Sequence, residues 1–519
     1  MVAALPARPA HYIRTQDGAR TQERPVGAAP EGIMATRLFV WTRRSGGVAW
    51  RADCRILHLQ GKETLMTVAG IAGVLEKRAR ELYRGIPVEW RYSLKKPADP
   101  LSAEPEASWP KFDRRAAGPW KKNGKNWFYG EIVVPMHHHG VPLNNAEGLL
   151  FIHGWMPFTL WLDGSELYRE KHAWMATGPI ADPFPVKLTP GSRHKLVTCI
   201  EPTELPANTI SLNVELRFTQ SVEIAVEIAA AAAQLRYAEA IASSASDRDA
   251  VARAARRVDV KAVENGQWAK ALRSIAAMEK MLSRFEKRAR SMTVHIIGHS
   301  HIDMDWMWTW PDTVHCIRRD FKSVTDMMDE YPELTFTHSQ VSTYEVVRKS
   351  DPDVFRKVRE RIREGRWENA AGTWVEGDLN MADGESIARH MLYAADWTCS
   401  HLDSKARVLW EPDTFGHPGN MPQLARLGEF DCYFHMRGNP GWHNNWPYHE
   451  WKGIDGTSIP ALSIGYNGDL HPEAVVHHLL MFRRFGFRNA LHIWGIGDHG
   501  GAVSRYQMGI LNQYRHKPV

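Results

Sequence analysis

From residue 292 onward the chain alternates two hydrophobic periodicities. Short apolar runs of strand length stand at 294–297, 334–336, 367–371, 408–410, 432–434, 461–464 and 491–494. Between several of them lie longer stretches whose apolar positions recur at helical spacing, at 319–330, 352–364, 384–397 and 472–485. The alternation predicts an α/β region, a mostly parallel, β/α barrel-like sheet with helices around it, over residues 291–519. In such folds the chemistry gathers just beyond the carboxyl ends of the strands.

The pattern upstream is different. Residues 36–220 read mostly as β, with short apolar runs broken by Gly and Asp-Gly turns, and a β-sandwich or jelly roll fits. Asp163-Gly164 between two such runs predicts a hairpin. Residues 221–290 turn Ala-rich with helical periodicity and a break at 244–247, a helical connector. Residues 1–35, rich in Ala, Pro, Gly and Arg, read as a disordered tail or as sequence ahead of a true start at Met34.

Composition narrows the class. The 519 residues suit two or three domains, and 44 % apolar with 24 % charged is a globular balance. A net charge of +6 without a basic run argues against a nucleic-acid partner. No run reaches the roughly 18 apolar residues of a membrane span, and no signal peptide is evident. Five scattered cysteines without a CxxC pair point away from a disulfide framework, to a reducing compartment and a cytoplasmic location. Twenty-one tryptophans are mostly core filler, though flat indole faces also stack on sugars.

Four strand ends carry the polar residues of interest. Gly298-His299-Ser300-His301-Ile302-Asp303 follows the first run, Glu411-Pro412-Asp413-Thr414-Phe415-Gly416-His417 the fourth, His435 and Arg437 the fifth, and Gly495-Ile496-Gly497-Asp498-His499-Gly500-Gly501 the last. In an extended segment the side chains of His301 and Asp303 share one side, so they suit a cation, zinc by ligand type, or simply hydrogen-bond each other. His299 either orients that pair or caps the strand end, and Asp305 helps a turn or a helix start. Asp413, stiffened by Pro412, can be a nucleophile, a base, a metal ligand or a helix cap. Asp498 sits in a loop glycine-rich enough to approach a ligand closely, or is a plain turn former. Trp306 walls a sugar site or packs. Two carboxylates, a metal pair and many aromatics together suit glycoside hydrolysis.

These segments resemble glycoside hydrolase family 38 α-mannosidases of the cytosolic and vacuolar branch. "GHSHIDMDWMW" resembles the opening His-x-Asp zinc motif, and "GRWENAAGTWVEGDLNMADGESIARHML" the stretch before the nucleophile. "LWEPDTFGHPGNMPQLARLGEFDCYFHMR" resembles the nucleophile segment, and "GIGDHGG" the Gly-Asp-Gly-Gly loop. The resemblance implies zinc held by His301, Asp303 and Asp413, Asp413 as nucleophile and Asp498 as acid/base. It further places Trp306, Arg437, Glu376 and Asp378 near the substrate. It implies a retaining, zinc-dependent α-mannosidase that hydrolyses terminal α-mannosyl residues of oligosaccharides through a covalent glycosyl-enzyme intermediate, with homo-oligomer formation left open. The family's fourth zinc ligand, a His downstream of the nucleophile, has no counterpart here, and His499 and Val503 stand where the branch has Gly and Pro. The expectation is a C-terminally truncated chain, or one whose remainder lies in another polypeptide. Two other readings stand beside it: an inactive truncated carbohydrate-binding fragment, and a metal-dependent hydrolase such as a polysaccharide deacetylase.

Overall fold

Alternation along the strands between Ile86 and Phe218 builds a four-stranded and a five-stranded antiparallel sheet. In Leu212–Phe218, for example, Leu212, Val214, Leu216 and Phe218 point inward at every second position. Trp90, Phe128, Leu160 and Leu196 of one sheet and Leu150, Ile152, Val214 and Leu216 of the other share one core. The hairpin forms as expected: Phe158–Leu162 pairs with Ser165–Glu170, and Asp163 (φ 48°) and Gly164 (φ 81°) supply the left-handed turn that matches strand twist. The computed structural model describes residues 66–93, 98–112, 124–144, 147–154, 156–172, 182–201, 212–306, 308–438, 446–497 and 500–519. The N-terminal tail and everything before residue 66 lie outside these.

One helix falls inside the stretch read as β. Val68–Tyr83 has Ile71, Ala72, Leu75, Ala79 and Leu82 on one buried face, and Thr67 caps it by accepting from the Gly70 N–H. It packs on Thr219–Ile241, whose alanines Ala229, Ala230, Ala231 and Ala232 are all buried. A helix buried all round needs small residues, because they let neighbouring backbones come close. The break expected at 244–247 is there: the Ser244 hydroxyl accepts from the Asp247 N–H and starts Ala245–Ala255. Val260–Glu264 and Trp268–Leu282 follow, and the helices share one core.

Past residue 292 the expected strands and helices appear within a few residues of their predicted ends, the start of the helix Trp310–Glu330 excepted. Thr293–His299 lies inside an all-parallel sheet, between Asn489–Trp494 and Phe336–His338, with Trp367–Asn369 at the edge. Val408–Glu411, Cys432–His435 and Ser458–Ser463 form a second parallel set, edged by the antiparallel strand Tyr448–Lys452. No ladder joins Trp367–Asn369 to Val408–Glu411 among the described residues, so the pairing is two four-stranded sheets and not one continuous barrel. A side-chain bond spans that gap, the Thr373 hydroxyl donating to Glu411 Oε1 (3.1 Å).

In this second half, a strand and a helix had no counterpart in the sequence reading. Tyr448–Lys452 is an edge strand with no fully buried position, so its apolar signal is weak. Helix Val341–Ser350 begins directly after Gln340, a buried residue at φ 67°. Trp310–Glu330 starts nine residues earlier than its periodicity suggested, because Asp312 Oδ2 accepts from both the N–H and the hydroxyl of Thr309. Asp305, exposed at φ 50°, is a turn residue. No helix among the described residues is long and apolar enough to cross a membrane.

Candidate active site

The strand Thr293–His299 delivers His301 into a buried position, where it is 2 % exposed. Both faces of its main chain are tied to the last loop, since its N–H donates to the Ile496 carbonyl (3.3 Å) and its carbonyl accepts from the Gly500 N–H (3.1 Å). Its Nε2–H donates to Glu376 Oε2 (2.7 Å), which turns Nδ1 to the opposite side. That Nδ1 is buried without a hydrogen-bond partner and faces Asp303 Oδ1 at 3.6 Å. A ring nitrogen facing a carboxylate oxygen at that distance suits a proton or a cation between them. Burial alone would lower the His301 pKa, but Glu376, Asp303 and Asp413 outweigh it and push it up to about 9.

Asp413 is reached from two neighbouring strand ends. Arg437 Nε–H donates to its Oδ1 (2.5 Å), and the Tyr466 hydroxyl is a second donor. Burial, and then the Asp413 charge, hold the Tyr466 phenol far above its ordinary value, so it stays a neutral donor. The Tyr466 ring also packs on His301, with centroids 4.8 Å apart. The Arg437 guanidinium lies over the Phe415 ring at 4.1 Å. Its main-chain carbonyl is gripped by His417 Nε2–H (3.1 Å) and His435 Nδ1–H (2.9 Å), which fixes where the guanidinium starts.

Glu376 lies between these two groups. Oε1 accepts from the Asp413 N–H (2.6 Å) while Oε2 accepts from His301. The Thr414 hydroxyl is 3.1 Å from Glu376 Oε1 and 3.1 Å from Glu411 Oε2. Glu411 is 1 % exposed, and burial together with the Glu376 charge holds it well above the usual carboxylate range. The Thr414 hydroxyl is also 3.4 Å from the Gly377 carbonyl. The Gln340 amide braces the group from below, donating to the Ile302 carbonyl (3.0 Å) and accepting from the Glu376 N–H (3.0 Å).

His299 is not directed at Asp303. Its Nδ1–H donates to the Thr337 carbonyl (3.0 Å) and its Nε2 accepts from Trp410 Nε1–H (3.4 Å), so it ties neighbouring strands together. Burial, then His301, bring it down to about 3. Trp306 is 52 % exposed, edge-on to the buried Trp308 at 5.6 Å. Asp378 is exposed; its Oδ1 accepts from the Asn380 N–H (3.2 Å). Asn380 in turn packs against Gly416, where an added Cβ would stand 1.8 Å from its Nδ2. Glu376, expected against the substrate, instead has both oxygens occupied within the protein. Asp498 and His499 lie outside the described residues. Gln340, Thr414 and Tyr466 escaped the sequence reading. Tyr466 carried one usable signal, its place just after a strand's carboxyl end, as with Arg437.

No three His, Cys, Asp or Glu side chains among the described residues stand close enough together to hold a metal ion. A zinc site is nonetheless compatible with the His301–Asp303 pair. Two ligands about 2.1 Å from a tetrahedral zinc stand roughly 3.4 Å apart, close to the 3.6 Å seen between Nδ1 and Oδ1. The Glu376 bond to the far ring nitrogen is the outer-shell partner such a ligand needs.

Residues 291–518 match the glycosyl hydrolases family 38 N-terminal domain. An alpha-mannosidase of Saccharomyces cerevisiae is 31 % identical over 230 residues, 43 % of this chain and 21 % of its own length. Alpha-mannosidase G of Dictyostelium discoideum is 32 % identical over 216 residues, 40 % of this chain and 20 % of its own. Human alpha-mannosidase 2C1 is 28 % identical over 229 residues, 43 % of this chain and 22 % of its own. The matched segment thus spans about a fifth of the length of these relatives. A solved α-mannosidase from Enterococcus faecalis V583 aligns at 21 % identity with a TM-score of 0.37, over 41 % of this chain and 25 % of that one, a likeness too partial to bear on function.

Proposed function

We propose, from the match of residues 291–518 to the glycosyl hydrolases family 38 N-terminal domain, that this chain carries the site of a retaining α-mannosidase. The substrate is the terminal α-mannosyl residue of an oligosaccharide. The observation that carries the reading is the pairing of Asp413, held by Arg437 and Tyr466, with a buried, unpartnered His301 Nδ1 facing Asp303 beside it. His301, Asp303 and Asp413 would hold a zinc ion, which when bound supplies a Lewis acid for sugar hydroxyls.

The residues then divide the work. Asp413 attacks the anomeric carbon as the bond to the leaving oxygen breaks, and Asp498 gives that oxygen its proton. Water next attacks the glycosyl–Asp413 ester, Asp498 takes the water's proton, and the Asp413 carboxylate is freed with the sugar's configuration retained. Arg437 and Tyr466 keep Asp413 aimed between turnovers, and the rings of Trp306 and Phe415 offer apolar faces to the sugar.

The test is hydrolysis of an aryl α-mannoside by the purified chain, with and without chelator and with zinc restored. Chelator-sensitive turnover is expected, and Asp413→Ala should lower it by about three orders of magnitude or more. Mannoside binding without turnover is the second reading. It is favoured by the engagement of Asp413 with Arg437, since no three potential ligands among the described residues already share one centre. A folded chain that binds mannose but never turns over would establish it.

A further inference from the structure

We propose that Glu376 is a positioning residue that fixes His301 and the Asp413 main chain in one rigid frame, and that it does not contact substrate. The proposal rests on the mannosidase reading for its catalytic meaning, and on the hydrogen bonds alone for its structural content.

Both carboxylate oxygens of Glu376 are in use, and on different strand ends. Oε2 takes the His301 Nε2–H at 2.7 Å; Oε1 takes the Asp413 N–H at 2.6 Å and stands 3.1 Å from the Thr414 hydroxyl. The side chain is 8 % exposed, so a ligand approaching Asp413 finds little of it. A carboxylate offers acceptors at both ends; an amide replaces one of them with a donor. The orientation of His301 follows from this bond, because Nε2 held to Glu376 turns Nδ1 towards Asp303.

The frame is itself anchored. Gln340 bridges the two segments through its amide, from the Ile302 carbonyl to the Glu376 N–H, both at 3.0 Å. It does so from φ 67°, a conformation side chains other than glycine rarely adopt, held here by burial on every side. Glu411 and Thr414 close the group on the other flank. One carboxylate therefore sets the ring orientation of one residue and the main-chain position of the other. Displacements well under 1 Å at such sites cost large factors in rate.

The experiment compares the full chain with Glu376→Gln. Zinc affinity, measured by competition with a chromophoric chelator, should weaken roughly 10–100-fold in Glu376→Gln. In turnover on an aryl α-mannoside, kcat should fall with KM nearly unchanged. Unaltered zinc affinity together with a raised KM would overturn the proposal and restore Glu376 as a substrate contact. Nitrogen-15 NMR of histidine-labelled protein reads the frame without activity or metal. The parent chain should show His301 with a protonated Nε2 in a strong hydrogen bond, and a parent spectrum lacking that signal would also overturn the proposal, whether or not the variant folds. If the parent neither binds zinc nor turns over but shows the signal, the mannosidase reading fails and the positioning frame stands.

Discussion

Tyr466 and Arg437 reach Asp413 from adjoining strand ends and differ in kind. Arg437 brings a charge, its own pKa raised chiefly by the hydrogen bond to Asp413. Tyr466 brings a neutral hydroxyl on a ring wedged against His301. Tyr466→Phe keeps the wedge and removes the donor. Its kcat on an aryl mannoside should fall about ten- to a hundredfold, in line with the roughly 1.5–3 kcal/mol of one lost hydrogen bond to a charged group. The urea midpoint should hardly move, since the ring remains packed. Asp413 and Arg437 were legible in the sequence because each directly follows an apolar run of strand length. Gln340 was not legible. Its importance comes from a left-handed backbone and from partners 38 and 36 residues away, neither of which a linear pattern displays. Glu376 was noticed, but its direction was not. A carboxylate in a polar stretch reads the same whether it faces solvent or a neighbouring strand.

At the scale of elements, the strand periodicities in the second half placed the site, while the joins between elements stayed hidden. Strand pairing depends on which runs become neighbours, so the division into two four-stranded sheets had no signature in the runs themselves. Helix Val68–Tyr83 escaped because its surroundings are strands, although its own apolar face recurs at helical spacing. Where elements meet, glycine marks the tightest approach. Gly495 ends Asn489–Trp494 at φ 134°, and a Cβ there would stand 1.9 Å from the His299 carbonyl oxygen, an atom of rigid main chain. Gly495→Ala must therefore force neighbouring strands away from each other. A loss of about 3 kcal/mol or more in urea unfolding is expected, together with loosening of the loop that holds His301.

Over the whole molecule, buried histidines set the response to acid. His138, His435 and His478 are each held down chiefly by burial, to about 4, about 4 and about 3. In the unfolded chain they titrate near the ordinary value of about 6.5. Between roughly pH 6.5 and 4 the unfolded state thus binds more protons, and stability falls as pH falls. Each histidine contributes at most about 1.4 kcal/mol per pH unit in that window. The urea midpoint should decline steadily from about pH 6.5 to 4, and on the alkaline side it should fall again as His301, held up to about 9, loses its proton. A midpoint independent of pH across that range would mean that these rings are not buried neutral.

The alanine-lined helix Thr219–Ile241 has a practical consequence for anyone dividing the chain. It touches Val68–Tyr83 on one side, Pro472–Arg484 and Arg505–Tyr514 on others. Lys517 reaches back to Glu227 and Glu279 at 2.6 Å and 3.0 Å, and Gln513 donates to the Glu223 carbonyl. A recombinant boundary drawn at residue 291, where the recognisable family segment begins, would remove this shared shaft whole and leave Ile493, Leu479 and Phe482 bare. The domain that homology delimits is therefore smaller than the unit that folds, and expression of the shorter piece would invite aggregation instead of an isolated domain.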